Sequence, residues 1–326
     1  MARWRFTAFA VSALASASAA LALAQPVTNA PGRVVGGTPP PPPVVAGAHW
    51  HHLHINATDP DRSIEFYTTH FDAKEATFAD GREAVWTQKS WILFNKVKEA
   101  PSKKLNTAIW HMGWGTEDPK REYERQKAKG ASFFAPLTDI SIANGGQRDR
   151  FYYMYVEGPD RTLIELNTAA HHHFGHIHMF SPDPIATGDW WIKTFGLTGR
   201  GLSNAQTVRA PRYSTVGNQI GPSSSLYLDN VNFIIYPAAY ARHAYQADWE
   251  GISELQSTRG RLYDHIGISV PRLEPALAAL KKAGVRITEE PKTWANGQVR
   301  SAFVEGPDKL AIELIEDHSS HPPFTD

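Results

Sequence analysis

The run His52-Leu-His54-Ile-Asn-Ala-Thr-Asp59-Pro60 decides how this chain is read, because it returns three times. His111-Met-Gly113-Trp-Gly-Thr-Glu-Asp118-Pro119 is the second copy, and His176-Ile-His178-Met-Phe-Ser-Pro-Asp183-Pro184 is the third. His265-Ile-Gly267-Ile-Ser-Val-Pro-Arg272 is the fourth. Each begins with a stretch apolar enough for a short strand. In three copies Asp-Pro follows: Asp accepts from free amides at a helix start, and Pro fits the first helical position. Gly130 and Gly284 are suitable helix stops. Further β-like runs follow, among them Glu83–Thr87, Trp91–Val97, Tyr152–Val156 and Asn232–Tyr236. Each copy therefore predicts strand, helix, then about three strands.

A second repeat closes the even copies. Val156-Glu-Gly-Pro-Asp160 returns as Val304-Glu-Gly-Pro-Asp308, followed five residues later by Glu165 and Glu313. Copies one and three share His-x-His, and copies two and four share His-x-Gly. A two-copy unit duplicated whole accounts for this, with domains at 48–170 and 174–318. Residues 199–225 read as a loop-rich insertion, and 237–262 as a partly helical connection.

Composition narrows the chemistry. The chain has 326 residues, enough for two domains. It contains no cysteine, which excludes disulfides, thiol catalysis and thiolate-bound metals. Lys+Arg and Asp+Glu are both 33, so a nucleic-acid partner lacks its electrostatic footprint. Arg3 and Arg5 precede an Ala-rich apolar run ending at Ala24, the pattern of a signal peptide over residues 1–24. No other stretch has the ~20 apolar residues of a membrane span. An exported protein, periplasmic or extracellular and off the membrane after cleavage, is expected. Residues 25–47, with five prolines from Pro39 to Pro43, read as a semi-rigid linker.

Fifteen histidines remain as the conspicuous chemistry. Strand residues alternate faces, so His52 and His54 share one face, as do His176 and His178. Two His and one carboxylate on one side of a metal leave positions open for substrate or oxygen. Each half supplies such a set: His52, His111 and Glu165 in the first, and His176, His265 and Glu313 in the second. The interval from second His to Glu is similar, 54 and 48 residues. His54 and His178 read either as acid–base groups beside the metal or as packing histidines. Arg148, Arg150 and Arg300 read either as anion-recognising groups or as a solvated or ion-paired strand face. Trp110, Trp114, Trp190, Trp191 and Trp294 line a pocket or fill the core.

Four such modules, with His on the first strand and Glu on the last, resemble the vicinal oxygen chelate superfamily. That superfamily includes glyoxalase I, type I extradiol dioxygenases, fosfomycin and bleomycin resistance proteins, and methylmalonyl-CoA epimerase. The resemblance spans nearly all of residues 48–318. It implies an α+β fold of four βαβββ modules paired into two domains. It also implies a divalent metal, Fe(II) favoured with Zn, Mn or Ni as alternatives, and a small substrate with vicinal oxygens. The activity implied is a metal-dependent dioxygenase or a glyoxalase-like lyase, and a non-catalytic sequestering protein is the other class on this fold. A homo-oligomer is left open. A four-ligand glyoxalase set needs an acid on the last strand of the odd modules, and neither Trp91–Lys96 nor Asn232–Tyr236 has one. The remaining two-His-one-Glu set resembles the extradiol iron site. The family's closing motif, Tyr-x-x-Asp-Pro-x-Gly then Glu, is met in part: Tyr155, Pro159 and Glu165 match, with Gly158 in place of Asp. Tyr155 is thereby a catalytic candidate, and Phe303 replaces it in copy four. The upstream catalytic His of extradiol enzymes is absent.

Overall fold

Within the chain's computed structural model, the described residues are 41–102, 104–142, 147–199, 207–213, 219–245 and 254–317. The expected signal peptide, and residues 25–40 of the linker, lie outside them. The remainder of the linker is not a free tether. Val44 and Val45 donate to the Lys193 and Thr194 carbonyls, and Val45 is buried.

Four modules follow one another, as the repeats imply. The first is β1 (His49–Ala57), α1 (Pro60–His70), β2 (Lys74–Thr77), β3 (Glu83–Thr87) and β4 (Ser90–Lys96). The second is β5 (Ile109–Thr116), α2 (Pro119–Ala128), β6 (Ser132–Asp139), β7 (Tyr152–Glu157) and β8 (Leu163–Thr168). The third is β9 (Phe174–Ser181), α3 (Pro184–Phe195), β10 (Thr198–Gly199), β11 (Thr207–Tyr213), β12 (Gln219–Leu228) and β13 (Val231–Pro237), followed by α4 (Ala238–Ala244). The fourth is β14 (Tyr263–Ser269), α5 (Leu273–Lys282), β15 (Ile287–Trp294), β16 (Val299–Glu305) and β17 (Ala311–Asp317). Residues 199–225, expected to be loop-rich, contribute β11 and most of β12. Pairing of β11 with β12, and of the Ser-rich β12 with β13, gives these segments hydrogen-bond partners that a loop would have to find in water. None of the helices among the described residues is long and apolar enough to cross a membrane.

The helix starts behave as the Asp-Pro pairs predict. Asp59 accepts from Arg62 N, Asp118 from Arg121 N, and Asp183 from Ile185 N and Ala186 N. The fourth copy has Arg272 in that place and no side-chain cap of its own. There Glu316, from β17, accepts from Leu273 N at 2.6 Å. The Val-Glu-Gly-Pro-Asp repeat also has a purpose. Asp160 and Asp308 adopt positive φ, and Asp160 accepts from Thr58 N and Oγ1 while Asp308 accepts from Thr187 Oγ1. Module two is thus latched to module one, and module four to module three.

The sheets assemble differently from the duplicated halves. One has the order β15-β16-β17-β14-β1-β4-β3-β2, and the other β10-β12-β13-β9-β5-β8-β7-β6. Module one therefore shares a sheet with module four, and module two with module three. Both sheets cross the expected 170/174 boundary. The reason is an open strand edge. The connection between β8 and β9 is short and passes over the end of β5, where Gly115 N donates to His173 O and Trp114 Nε1 to His172 O. It lays β9 antiparallel along the free edge of β5. The exposed edge of β1 then finds β14, also antiparallel.

The four first strands line the main core between the sheets. Trp50, Leu53 and Ile55, Met112 and Trp114, Ile177 and Met179, and Ile266 and Ile268 all belong to it. Trp50 stacks on Phe174, with centroids 5.7 Å apart. The opposite, concave face of each sheet carries a separate, smaller cluster.

Replacing Glu316 by Ala removes the only side-chain acceptor that the described residues place at the start of α5, and leaves the buried Leu273 amide without it. The expected loss is about 1–3 kcal/mol in urea unfolding. Glu316→Gln, which keeps an acceptor oxygen, should cost less.

Candidate metal centres

Each pair of first strands contains two β-bulges, and these set where the histidines point. Trp50 pairs with Ile268 and His52 with Gly267, so His51 is the extra residue on β1. His54 pairs with His265 and Ile55 with Tyr263, so Asp264 is the extra residue on β14. In the other sheet the same logic singles out Trp110 on β5 and Gly175 on β9. A bulge turns two successive residues toward one face. The core residues thereby face the interior while His52, His54 and His265, or His111, His176 and His178, face the concave side.

This pairing corrects the expected ligand sets. His52 does not meet His111 and Glu165; it meets His265 and Glu313. His52 Nε2 lies 3.3 Å and His265 Nε2 3.4 Å from Glu313 Oε2. His54 joins them, with Nδ1 3.1 Å from His265 Nε2. In the other sheet His176 meets His111 and Glu165: His111 Nε2 donates to Glu165 Oε2 at 2.8 Å, and His176 Nε2 lies 3.7 Å from the same oxygen. Ligand atoms of His52, His54 and His265 lie within 4.8 Å of one another, as do those of His111, Glu165 and His176. Each half of the chain supplies two modules, but every cluster draws on both halves.

The His-x-Gly pattern now has its explanation. Gly267 faces His52 across the strand pair, and Gly113 faces His176. A Cβ on Gly267 would lie 2.1 Å from the His52 ring, and one on Gly113 1.7 Å from the His176 ring. Only a residue without a side chain lets the imidazole lie flat over the neighbouring strand toward the Glu.

Electrostatics keep the donor atoms available. Burial lowers His52 to about 3 and His111 to about 4, in spite of the opposing pull of Glu313 and Glu165. His54 and His178 are also pushed well down, mainly by burial. Burial would raise Glu313 and Glu165, but the histidines that face them hold both well below the usual carboxylate range. His265 is the exception: burial would lower it, but the bond to Asp264 and the nearby charge of Glu313 raise it. Neutral imidazoles around an ionised carboxylate are the protonation states a divalent cation requires. His52 Nε2 is buried without a well-formed hydrogen bond, though it faces Glu313. That orphaned ligand atom fits a divalent cation.

The two centres differ in their surroundings. Around the second–third centre the concave face is filled by Trp110, Tyr153, Tyr155, Phe180 and Tyr236, with Tyr240 and Tyr245 brought in by α4 and its end. Tyr155 is fully buried, its Oη donating to Glu165 Oε2 at 3.3 Å. His178 packs against Trp110 and Tyr236, and neither of its ring nitrogens has a hydrogen-bond partner among the described residues. The first–fourth centre is walled by Phe78, Trp91, Leu93 and Ile315. Its rim carries Phe303 and Arg259, whose guanidinium lies 4.2 Å from the Phe303 ring. Leu93 pairs with His54 and Ile234 with His178, so no acid lies beside these histidines on the neighbouring strand.

Other candidates take ordinary places. Arg300 pairs with Glu274 and Glu316. Trp114 and Trp191 are core. His171 stacks on His173 and lies over Gly115 and Gly175, so this part of the connection between β8 and β9 is packed. Gly113, Gly267, Asp264 and Arg259 were not among the expected site residues. The His-x-Gly alternation was a visible signal for the glycines, and the Asp264-His265 doublet was one for the acid.

Comparison with known proteins agrees with this geometry. Residues 49–166 match the Glyoxalase/Bleomycin resistance protein/Dioxygenase superfamily. A probable lactoylglutathione lyase of Vibrio cholerae serotype O1 is 36% identical over 63 residues, 19% of this chain and 46% of the relative. The chain thus spans about half the length of that curated relative. Glyoxalase I from Zea mays superposes with a TM-score of 0.57 at 16% identity, covering 82% of this chain and 92% of the maize chain. A putative dioxygenase from Bacillus subtilis subsp. subtilis str. 168 gives 0.55 at 12% identity, covering 83% and 86%. The fold is that of a two-domain vicinal oxygen chelate protein.

Gly267→Ala should displace His52, cost about 1–3 kcal/mol of stability through overpacking, and abolish cobalt(II) binding at the first–fourth centre. Urea unfolding and cobalt titration read the two effects. The metal-free protein should also lose stability as pH falls from 6.5 toward 4. In that window unfolded His52 and His111 take up protons that the folded state refuses, so unfolding is favoured by up to roughly 1.4 kcal/mol per pH unit for each. A flat melting temperature between pH 7 and 4.5 would contradict this assignment.

Proposed function

We propose that the chain is an exported, metal-dependent enzyme of this superfamily, acting at the first–fourth centre on a small substrate with two adjacent oxygens. The observation that carries the reading is the convergence of His52 Nε2 and His265 Nε2 on one oxygen of Glu313, within 3.4 Å, on a concave sheet face. Three protein ligands on one side favour iron(II) and a dioxygenase reaction. Zinc, manganese or nickel would support a lyase or isomerase reaction instead. A bound ion would supply a Lewis acid that polarises the substrate's neighbouring oxygens.

The chain's own residues do the remainder. Phe78, Trp91 and Leu93 exclude water from the floor of the cavity. Glu313 stays ionised and His54 stays neutral, so His54 can accept a proton from a substrate hydroxyl held beside His265. Arg259 is already engaged by Asp264 and Glu289 and is not available as an anion receptor. Glu313 is 6% exposed at the first–fourth centre and His176 5% at the second–third, so each centre keeps one slightly exposed ligand. The aromatic cluster of Trp110, Tyr153, Tyr236 and Tyr240 over the second–third centre supports the first–fourth centre as the one substrate reaches, and Tyr155 gives Glu165 a supporting bond. Export rests on Arg3, Arg5 and the apolar run to Ala24.

The test is metal analysis of untagged protein, then anaerobic iron(II) loading and oxygen uptake with a panel of catechols. Hemithioacetal isomerisation by zinc- and nickel-loaded protein runs in parallel. Bound metal that disappears in His265→Ala, and turnover that falls 10²–10⁴-fold in His54→Ala with little change in KM, are the expected results. Protein that takes up no metal under any loading condition would leave a sequestering protein as the better reading.

A further inference from the structure

The bulged residues differ between the two centres, and this difference has a chemical meaning. At the first–fourth centre both are polar and both touch a ligand histidine. Asp264 Oδ1 accepts from His265 Nδ1 at 2.6 Å. Arg259 Nη1 donates to that same oxygen at 2.5 Å, while Gly260 N at 2.6 Å and Asn56 Nδ2 at 3.1 Å donate to Oδ2. Asp264 is thus held from every side, and His265 must carry its proton on Nδ1, which leaves the Nε2 lone pair toward Glu313. His51 forms the second relay. Its Nε2 donates to Asp317 Oδ2 at 3.3 Å, and its Nδ1 lies 2.8 Å from His52 Nδ1. A neutral ring that donates through Nε2 accepts through Nδ1. His52 therefore donates through Nδ1, and its Nε2 lone pair also faces Glu313.

The second–third centre has Trp110 and Gly175 at the same two bulges. Trp110 packs its ring 4.3 Å from that of His111 without accepting from it, and His111 Nδ1 is buried with no partner. Gly175 has no side chain to offer His176. His111 is held there only through Nε2, whose bond to Glu165 places the proton on the nitrogen that would face a cation, and neither bulged residue counters this by accepting from Nδ1.

We infer that the Arg259–Asp264 and Asp317–His51 pairs are positioning groups that preset His265 and His52 for metal, so that the first–fourth centre fills before the second–third one. Partners of this kind are worth about 10–100-fold in metal affinity. The inference rests on the proposed metal dependence and adds an order of filling to it.

Metal-free protein is titrated with cobalt(II), and the ligand-field bands in the visible spectrum report each occupancy. Two steps are expected, the tighter lost in His52→Ala and the weaker in His111→Ala. Asp264→Ala and His51→Phe should each weaken the tight step 10–100-fold and leave the weak step unchanged. The weak step also shows that each variant is folded. His51→Gln, whose amide oxygen can still accept from His52 Nδ1, should recover most of the loss. The inference is overturned if Asp264→Ala and His51→Phe both leave the tight step within twofold, if they weaken both steps alike, or if His111→Ala removes the tighter step. Wild-type protein that binds no cobalt would sink the metal-dependent reading itself, an outcome separate from these.

Discussion

Antiparallel pairing of first strands, β1 on β14 and β5 on β9, is the constraint from which the rest follows. A first strand in this module has one free edge, and an unpaired edge exposes amides and carbonyls that must find partners. Joining two such edges makes each sheet continuous and sets a histidine-bearing strand against a glycine-bearing one. It also aligns each Gly with the Glu of the next strand, Gly267 with Glu313 and Gly113 with Glu165. The three donor types thereby reach one point without any loop being needed to carry them.

Burying an ionised carboxylate among imidazoles would be costly without compensation. Here the cost is spread through short contacts: His111 on Glu165, His52 and His265 near Glu313, and Asn167 Nδ2 on Glu165 Oε1 at 3.1 Å. The same desolvation keeps most of the imidazoles neutral. A rigid, pre-ionised cluster on paired strands suits a cation, because ligands on strands hold their geometry better than ligands on loops. Duplication gave the molecule two such clusters, and the bulges let them diverge. A single residue at each bulge changes what stands beside the ligand ring, from carboxylate to indole or from imidazole to nothing.

Much of this was legible beforehand. The four copies, the Asp-Pro helix starts and the closing Glu residues were periodic in the sequence and are local in the structure. The His-x-His and His-x-Gly alternation was legible as a pattern but not as a cause. The ligand partition was read wrongly. Grouping His52 with His111 and Glu165 assumed that neighbouring modules in sequence share a sheet. The short Ala169–His173 connection, lying between two repeats, decides otherwise by placing β9 directly on β5. His178 was legible as sharing a strand face with His176, and Tyr155 only through the closing motif of the family. That aromatic side chains close over them was not, because the filling comes partly from α4, outside the repeat.

The sequence by itself determined the module, its fourfold recurrence, the residue types able to bind a cation, and the exclusion of thiolate chemistry, since all of these depend on local pattern and composition. Only the tertiary structure decided which histidine meets which glutamate, which bulged residue lies beside it, and which aromatic side chains close over one of the two clusters. Those outcomes depend on strand edges far apart in the chain and on a register that shifts by one residue at each bulge. No spacing along the chain encodes either.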